Sequence, residues 1–351
     1  MATSTPTSAD IPAARPLARK RARPGDQIFH AAVFSALLIA LAALVWLLIS
    51  VVAKGATALD WDFLSSQTSS RASRAGFLNA LKGSVVLMII TIAVAVPLGF
   101  AAATYLEKFA PLSRDELRVI TRRRRRALEL RRAAGELTGP RLLASRLGIA
   151  LSAVWARIGP PLNTFVEINL SNLAAVPSII YGLLGLALFV QIMGISKSLL
   201  AGGLTLAILV LPIIIIASRE AIRAVPRSIE QGAMALGASR WQAVRSHVLP
   251  AALPGMLTGT ILAMSRAIGE TAPLVVVGGV AFGTAVPSIN PLNAANEDLF
   301  AMPLQIYTWV DQPQEDTWGP LAAAGIIVLL VTLVVMNLLA IWLRNRFTRR
   351  W

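Results

Sequence analysis

Six stretches of about 20 predominantly apolar residues, each long enough to cross a bilayer as a helix, constrain this chain more than any other feature. They lie near Ile28 to Val52, Gly83 to Tyr105, Ile168 to Met193, Leu199 to Ala217, Leu253 to Phe282 and Pro320 to Leu343. A backbone in hydrocarbon must satisfy its own N–H and C=O groups, and a helix does so within each segment. The sequence therefore predicts an all-α polytopic membrane protein with six transmembrane helices. Composition agrees, since 56% of residues are apolar and 15% charged, against about 25% charged in soluble domains. There is no cysteine, which excludes thiolate nucleophiles, disulfides, iron–sulfur ligation and Cys-rich zinc sites. The two histidines, His30 and His247, are too far apart in sequence to suggest a local metal motif. No small-residue cleavage site follows the first span, so it reads as an anchor and not as a removed signal.

Basic residues are retained on the cytoplasmic side of a membrane, so their distribution predicts orientation. With the N-terminus inside, segments 1–27, 106–160, 218–252 and 344–351 carry 27 of the 33 Lys and Arg residues. The opposite loop, Gly283 to Gly319, has neither Lys nor Arg but contains Glu297, Asp298, Asp311, Glu315 and Asp316. Both termini are expected in the cytoplasm. The same asymmetry accounts for the formal charge of +15 without a nucleic-acid partner. The expected organisation is a basic tail (1–27), two helices with an outer loop (28–105), a basic insertion (106–160), a helical membrane core (161–343) containing a cytoplasmic loop (218–252), and a basic tail (344–351).

Residues 112 to 160 interrupt the membrane pattern with the run Arg122 to Arg126. Ser113 and Glu116 have capping-box spacing and Gly135 is placed to end the helix that follows. Its apolar positions form only a thin stripe, which favours a solvated helix near anionic membrane lipids. No aromatic residues interleave the arginines to stack on bases, so nucleic acid is not expected there.

The fifth span carries Arg266 and Glu270, four residues apart and so on one face of a continuous helix. Each charge costs about 2.5–3.5 kcal/mol at the bilayer centre, and such residues normally face a polar cavity or substrate path. A mutually neutralising buried pair is the competing reading. Gly269 and Pro273 flank Glu270, weakening the helix and exposing backbone N–H groups beside a guanidinium, an arrangement suited to an anion. The third span opens with Glu167, Asn169, Ser171, Asn172, Pro177, Ser178 and Tyr181, read either as inter-helix hydrogen-bonding groups or as a hydrophilic wall opposite Arg266. Pro212 in the fourth span reads as a kink. The candidate pathway residues are Arg266, Glu270, Thr271, Asn172, Ser178 and Tyr181.

Residues 218 to 250 read as two short amphipathic helices joined at Gly237 and ending at Leu249 and Pro250. The segment resembles the EAA loop of ABC-importer permeases, in which a short helix docks into the ATP-hydrolysing subunit. Gln231, with Glu230 before it, stands where that family usually has Glu, and Gly232 replaces an Ala. The resemblance narrows to the PstA phosphate-transporter permeases through Tyr105 to Pro111, Glu167 to Gly185, Ser265 to Leu274 and Met302 to Tyr307. The family's transport-linked Arg and Glu map onto Arg266 and Glu270. The 112–160 insertion departs from the family, where this connection is short.

The resemblance implies a type I ABC importer permease fold in a bacterial plasma membrane and no enzymatic activity in this chain. It implies ATPase-coupling residues Glu230, Gln231, Gly232, Ala233, Ala235, Gly237, Leu249 and Pro250. It also implies a PstC-like permease partner, two PstB-like ATPase subunits binding ATP and Mg, and a PstS-like phosphate-binding protein. The sequence lacks G-x-x-x-x-G-K-[ST], so ATP hydrolysis by the P-loop route falls to another chain. A PstC-like or other oxyanion permease, a secondary anion transporter, and a membrane-bound scaffold or sensor are the alternatives.

Overall fold

The computed structural model describes residues 24–110, 126, 129, 161–279, 288 and 296–347. Of the insertion, residues 111–160, including the expected cap at Ser113 and Glu116, lie outside them except for two helical positions, Arg126 and Glu129. The chain divides into two compact units, 1–50 and 51–351.

Most of helix α1 (Pro24–Gly55) belongs to the first unit. Its apolar residues, including Phe34, Leu37, Leu41, Leu44 and Leu47, are exposed around the whole circumference, as suits a helix whose solvent is lipid.

In the second unit, a short helix α2 (Trp61–Ser65) leads to α3 (Leu78–Thr104), which continues through a wider π-type turn, Tyr105–Phe109. Next come α4 (Pro161–Ala174), α5 (Ser178–Gly185) with a π-type extension Leu186–Ile192, and α6 (Leu199–Arg223). Two short helices, α7 (Arg227–Ala235) and α8 (Arg240–Ala243), precede α9 (Leu249–Gly269). The described chain ends with α10 (Ala272–Val277), α11 (Met302–Val310) and α12 (Glu315–Phe347). Among the described residues, extended pairing is limited to one isolated bridge, Ser198 to Asp298.

Five helices are long and apolar enough to cross a membrane, and a sixth crossing is available if α4 and α5 together make one span. That third span is not the single straight helix expected from Ile168 to Met193, because α4 and α5 meet at 109°. Pro177 supplies the reason: it lacks an N–H, and its ring disfavours helical dihedrals at Val176. The fifth span also departs from expectation. α9 stops at Gly269, Glu270 is extended (ψ 118°), and α10 ends at Gly278, whose φ of 107° is left-handed. The fourth span, by contrast, runs through Pro212 as one helix.

Small residues set the central packing. Gly255 and Gly259 on α9 face Ala221 and Ala217 on α6, where an added Cβ would collide with the alanine methyls. Two small-xxx-small pairs thus oppose each other, permitting the close approach that drives helix association without a hydrophobic effect in lipid. α3 joins α6 through Gly203, which sits against Ile90, and through the Thr91 hydroxyl, 3.2 Å from the Gly203 carbonyl. The segment expected as part of an outer loop contains α11, whose Met302, Leu304, Gln305 and Trp309 are buried. Trp309 completes an aromatic cluster with Phe63, Phe77 and Trp318, at ring separations of 5.4–6.2 Å.

Candidate functional site

Two groups of polar residues stand out in the second unit, one at the α9–α10 break and one where α3, α6 and α7 meet.

At the break, Arg266 Nε donates to Glu270 Oε1 at 3.0 Å. The two residues do come together, at the point where the helix ends. Glu270 caps the end of α9, and with a φ of −76° its side chain keeps the i, i+4 relation to Arg266 while the chain beyond it turns away. The Arg266 side chain keeps 44% of its surface exposed and Glu270 16%, so the pair borders open space. Thr271 adjoins Glu270, and its carbonyl accepts from Leu274 and Val275 to start α10.

The α4–α5 break lies alongside. Tyr181 is buried and donates to the Leu173 carbonyl at 2.7 Å, bracing the bend. Gly182 abuts the backbone of Pro273, where an added Cβ would lie 2.7 Å from the Pro273 Cα. The two broken spans are therefore packed main chain to main chain. Asn172 is exposed and its carbonyl accepts from Ala175 in the bend, while Ser178 is half-buried at the first position of α5. Among the described hydrogen bonds neither side chain reaches Arg266.

Glu167 does not join that polar face. It pairs at 2.6 Å with Arg219 near the end of α6, and Arg219 and Arg223 both approach Glu107, at 3.6 and 3.1 Å. Beside this cluster Lys108 donates to Glu230 on α7 at 2.8 Å, and Arg240 lies 3.7 Å from the same carboxylate. Lys108 and Glu230 are only 11% and 13% exposed. Arg240 also lies over the Phe109 ring, which packs on Trp241. Lys108, Glu107, Arg219 and Arg223 were not singled out from sequence. Their signal was the charged step Glu107-Lys108 at the end of an apolar span, which does not reveal a partner more than 100 residues away.

Gly237 separates α7 from α8 with a φ of 92° and open space around it, a left-handed turn that a side chain would strain. Ser239 and Gln242 form a reciprocal capping box at the start of α8. Ala233 faces inward, whereas Gln231, Gly232 and Ala235 are exposed. Leu236 is 92% exposed, with Met234 and Trp241 also open. Leu249 and Pro250 begin α9. This apolar, small-residue surface is held from behind by Glu230 and presented outward.

Residues 148–350 match the family model described as "Binding-protein-dependent transport system inner membrane component". The chain is 31% identical to the phosphate transport system permease protein PstA of Haemophilus influenzae over 310 residues, covering 87% of this chain and 86% of that one. It is 30% identical to PstA of Mycobacterium leprae over 322 residues, covering 90% and 88%. It is 25% identical to the probable ABC transporter permease protein YqgI of Bacillus subtilis, covering 86% and 89%. Among solved structures, an inward-facing form of the MetNI methionine ABC transporter aligns with a TM-score of 0.48 and 16% identity, covering 77% of this chain and 97% of that chain. The family model spans more than half of the chain and the PstA relatives align along most of it: the chain belongs to the binding-protein-dependent transport system inner membrane components.

Proposed function

We propose that the chain is the membrane-spanning permease subunit of an ATP-driven inorganic phosphate importer. The observation that carries this reading is the Arg266–Glu270 pair, a partly exposed cation and its own counter-ion at a helix break within an apolar span. The names of the PstA relatives support phosphate as the transported anion.

The geometry suggests an exchange of partners. With the path empty, Glu270 neutralises Arg266, which avoids the penalty of an unpaired charge in a low-dielectric site. An entering phosphate takes the guanidinium in a charge-assisted contact and displaces the carboxylate. As the anion leaves, Glu270 returns, so Arg266 provides a transit site and not a trap. Tyr181 braces the α4–α5 bend beside it, and Asn172, Ser178 and Thr271 are proposed to extend the polar path.

The membership in a binding-protein-dependent family implies a substrate-binding partner and an ATPase. We assign these as a PstS-like protein and two PstB-like subunits, with a PstC-like permease completing the pathway. ATP and Mg belong to the PstB-like chains. The α7–Gly237–α8 surface is their docking element, with Glu230 holding it to α3 through Lys108. The distribution of Lys and Arg supports a cytoplasmic position for that surface and both termini.

The test is phosphate uptake by proteoliposomes containing the co-purified complex, with and without ATP. Uptake that needs ATP and is lost in Arg266→Gln is the expected result. Uptake driven by an ion gradient without ATP would make the chain a secondary transporter, and preference for another oxyanion would reassign the substrate.

A further inference from the structure

A crevice of about 200 Å³ opens between α3, α9 and α12, walled by Ile92 and Val96, by Met264, and by Leu333 and Met336, with Arg344 at one end. We infer that it holds one acyl chain of an anionic phospholipid whose phosphate is gripped by Arg344.

Three observations specify this occupant. First, all three walls are apolar spans, so the surrounding solvent is lipid. Second, Leu333 and Arg344 are eleven residues apart on one helix, about 16 Å of rise, close to half of a hydrocarbon core about 30 Å thick. The crevice is one leaflet deep. Third, charge lies only at the headgroup end. The Arg344 guanidinium donates to Thr258 Oγ1 at 3.2 Å and, through Nε and Nη2, to Asn345 Oδ1 at 3.3 and 3.1 Å, and a phosphate at the mouth can take over the two Asn345 contacts. Arg346 follows two residues later, and Trp342, 66% exposed, marks the interfacial depth where aromatic residues collect. Deeper in, the Ser265 hydroxyl lies 2.6 Å from Asn337 Oδ1, so the lipid contacts the junction of α9 and α12 one residue from Arg266.

The inference rests on the membrane reading but not on phosphate as substrate. The full chain, co-expressed with its partners, is placed in vesicles of phosphatidylethanolamine and phosphatidylglycerol containing a phosphatidylglycerol probe with a photoreactive acyl chain. Cross-links are mapped to peptides, and alkaline extraction of the same samples checks membrane insertion. Labels should concentrate in 257–268 and 333–344. Arg344→Gln should lower them about fivefold for phosphatidylglycerol, Arg344→Lys should retain most of them, and an equivalent phosphatidylcholine probe, whose choline offsets the phosphate charge, should respond less to Arg344→Gln. Ala340→Trp, which fills the crevice, should reduce labelling by both probes. Labels absent from these peptides in the inserted wild type, equal labelling in Arg344→Gln, or cross-linking of the crevice to a protein helix would overturn the lipid site. ATP-driven uptake in parallel vesicles tests the transport reading separately.

Discussion

Lys108 at the end of α3 and Glu230 on α7, separated by 122 positions in sequence, form an ion pair at 2.8 Å with both side chains mostly removed from solvent. A charge-assisted hydrogen bond of this kind contributes about 1.5–3 kcal/mol when partly desolvated. Its position makes the loop an extension of α3, so that movement of either element acts on the other.

Lys108→Ala or Glu230→Gln should therefore reduce phosphate moved per ATP hydrolysed severalfold. The doubly exchanged variant, Lys108→Glu with Glu230→Lys, should recover part of the loss. Transport stoichiometry in vesicles checks this, and wild-type coupling in both single variants would show that the pair does not hold the loop.

Arg266→Gln should abolish uptake while the complex still assembles, because a neutral amide cannot compensate the anion's charge. Glu270→Gln should leave measurable but slower transport, since phosphate can still reach Arg266 but nothing resets it. Initial uptake rates normalised to assembled complex separate the two. Equal loss in both would argue for a purely structural ion pair.

Gly237→Ala forces a side chain into a left-handed conformation at a cost of about 1–2 kcal/mol. With nothing nearby to clash, the penalty falls on the turn alone. Co-purification of the ATPase should weaken without any change in membrane insertion. Ala235→Asp should detach the ATPase more completely, as an added carboxylate must be desolvated on docking.

Gly259→Leu should impair folding more than any of these changes, because its side chain enters the contact with Ala217 on α6. Overpacking typically costs about 1–3 kcal/mol. Thermal unfolding in detergent should drop in midpoint for Gly259→Leu and less for Gly255→Ala, whose Cβ meets a single methyl.

The spans were legible because long apolar runs have few solutions in a bilayer. What was not legible is where a run stops being one helix. Hydropathy continues across Pro177 and across Gly269 to Thr271, so each reads as one span, although Gly269 and Pro273 already mark the fifth as weakened there. Arg266 and Glu270 are found by their spacing, and the i, i+4 relation holds at 3.0 Å. What spacing does not display is that α9 ends at this pair, with Glu270 as its cap. Glu167 was grouped with its sequence neighbours Asn169 and Asn172, whereas its partner Arg219 lies 52 positions away, a pairing that one sequence cannot display. Gly255 and Gly259 had the spacing of a helix-packing face, yet their meaning depends on Ala217 and Ala221 across the interface.

The contact between Gly182 and Pro273 has a mechanical consequence. Side chains between two helices usually act as padding, taking up small displacements by changing rotamer. Here the glycine contributes bare main chain against the Pro273 backbone and the Val276 Cβ, so one side of the contact has no padding to compress. A tilt of α5 therefore meets α10 with little side chain at Gly182 to absorb it, which ties the two bends together at one point.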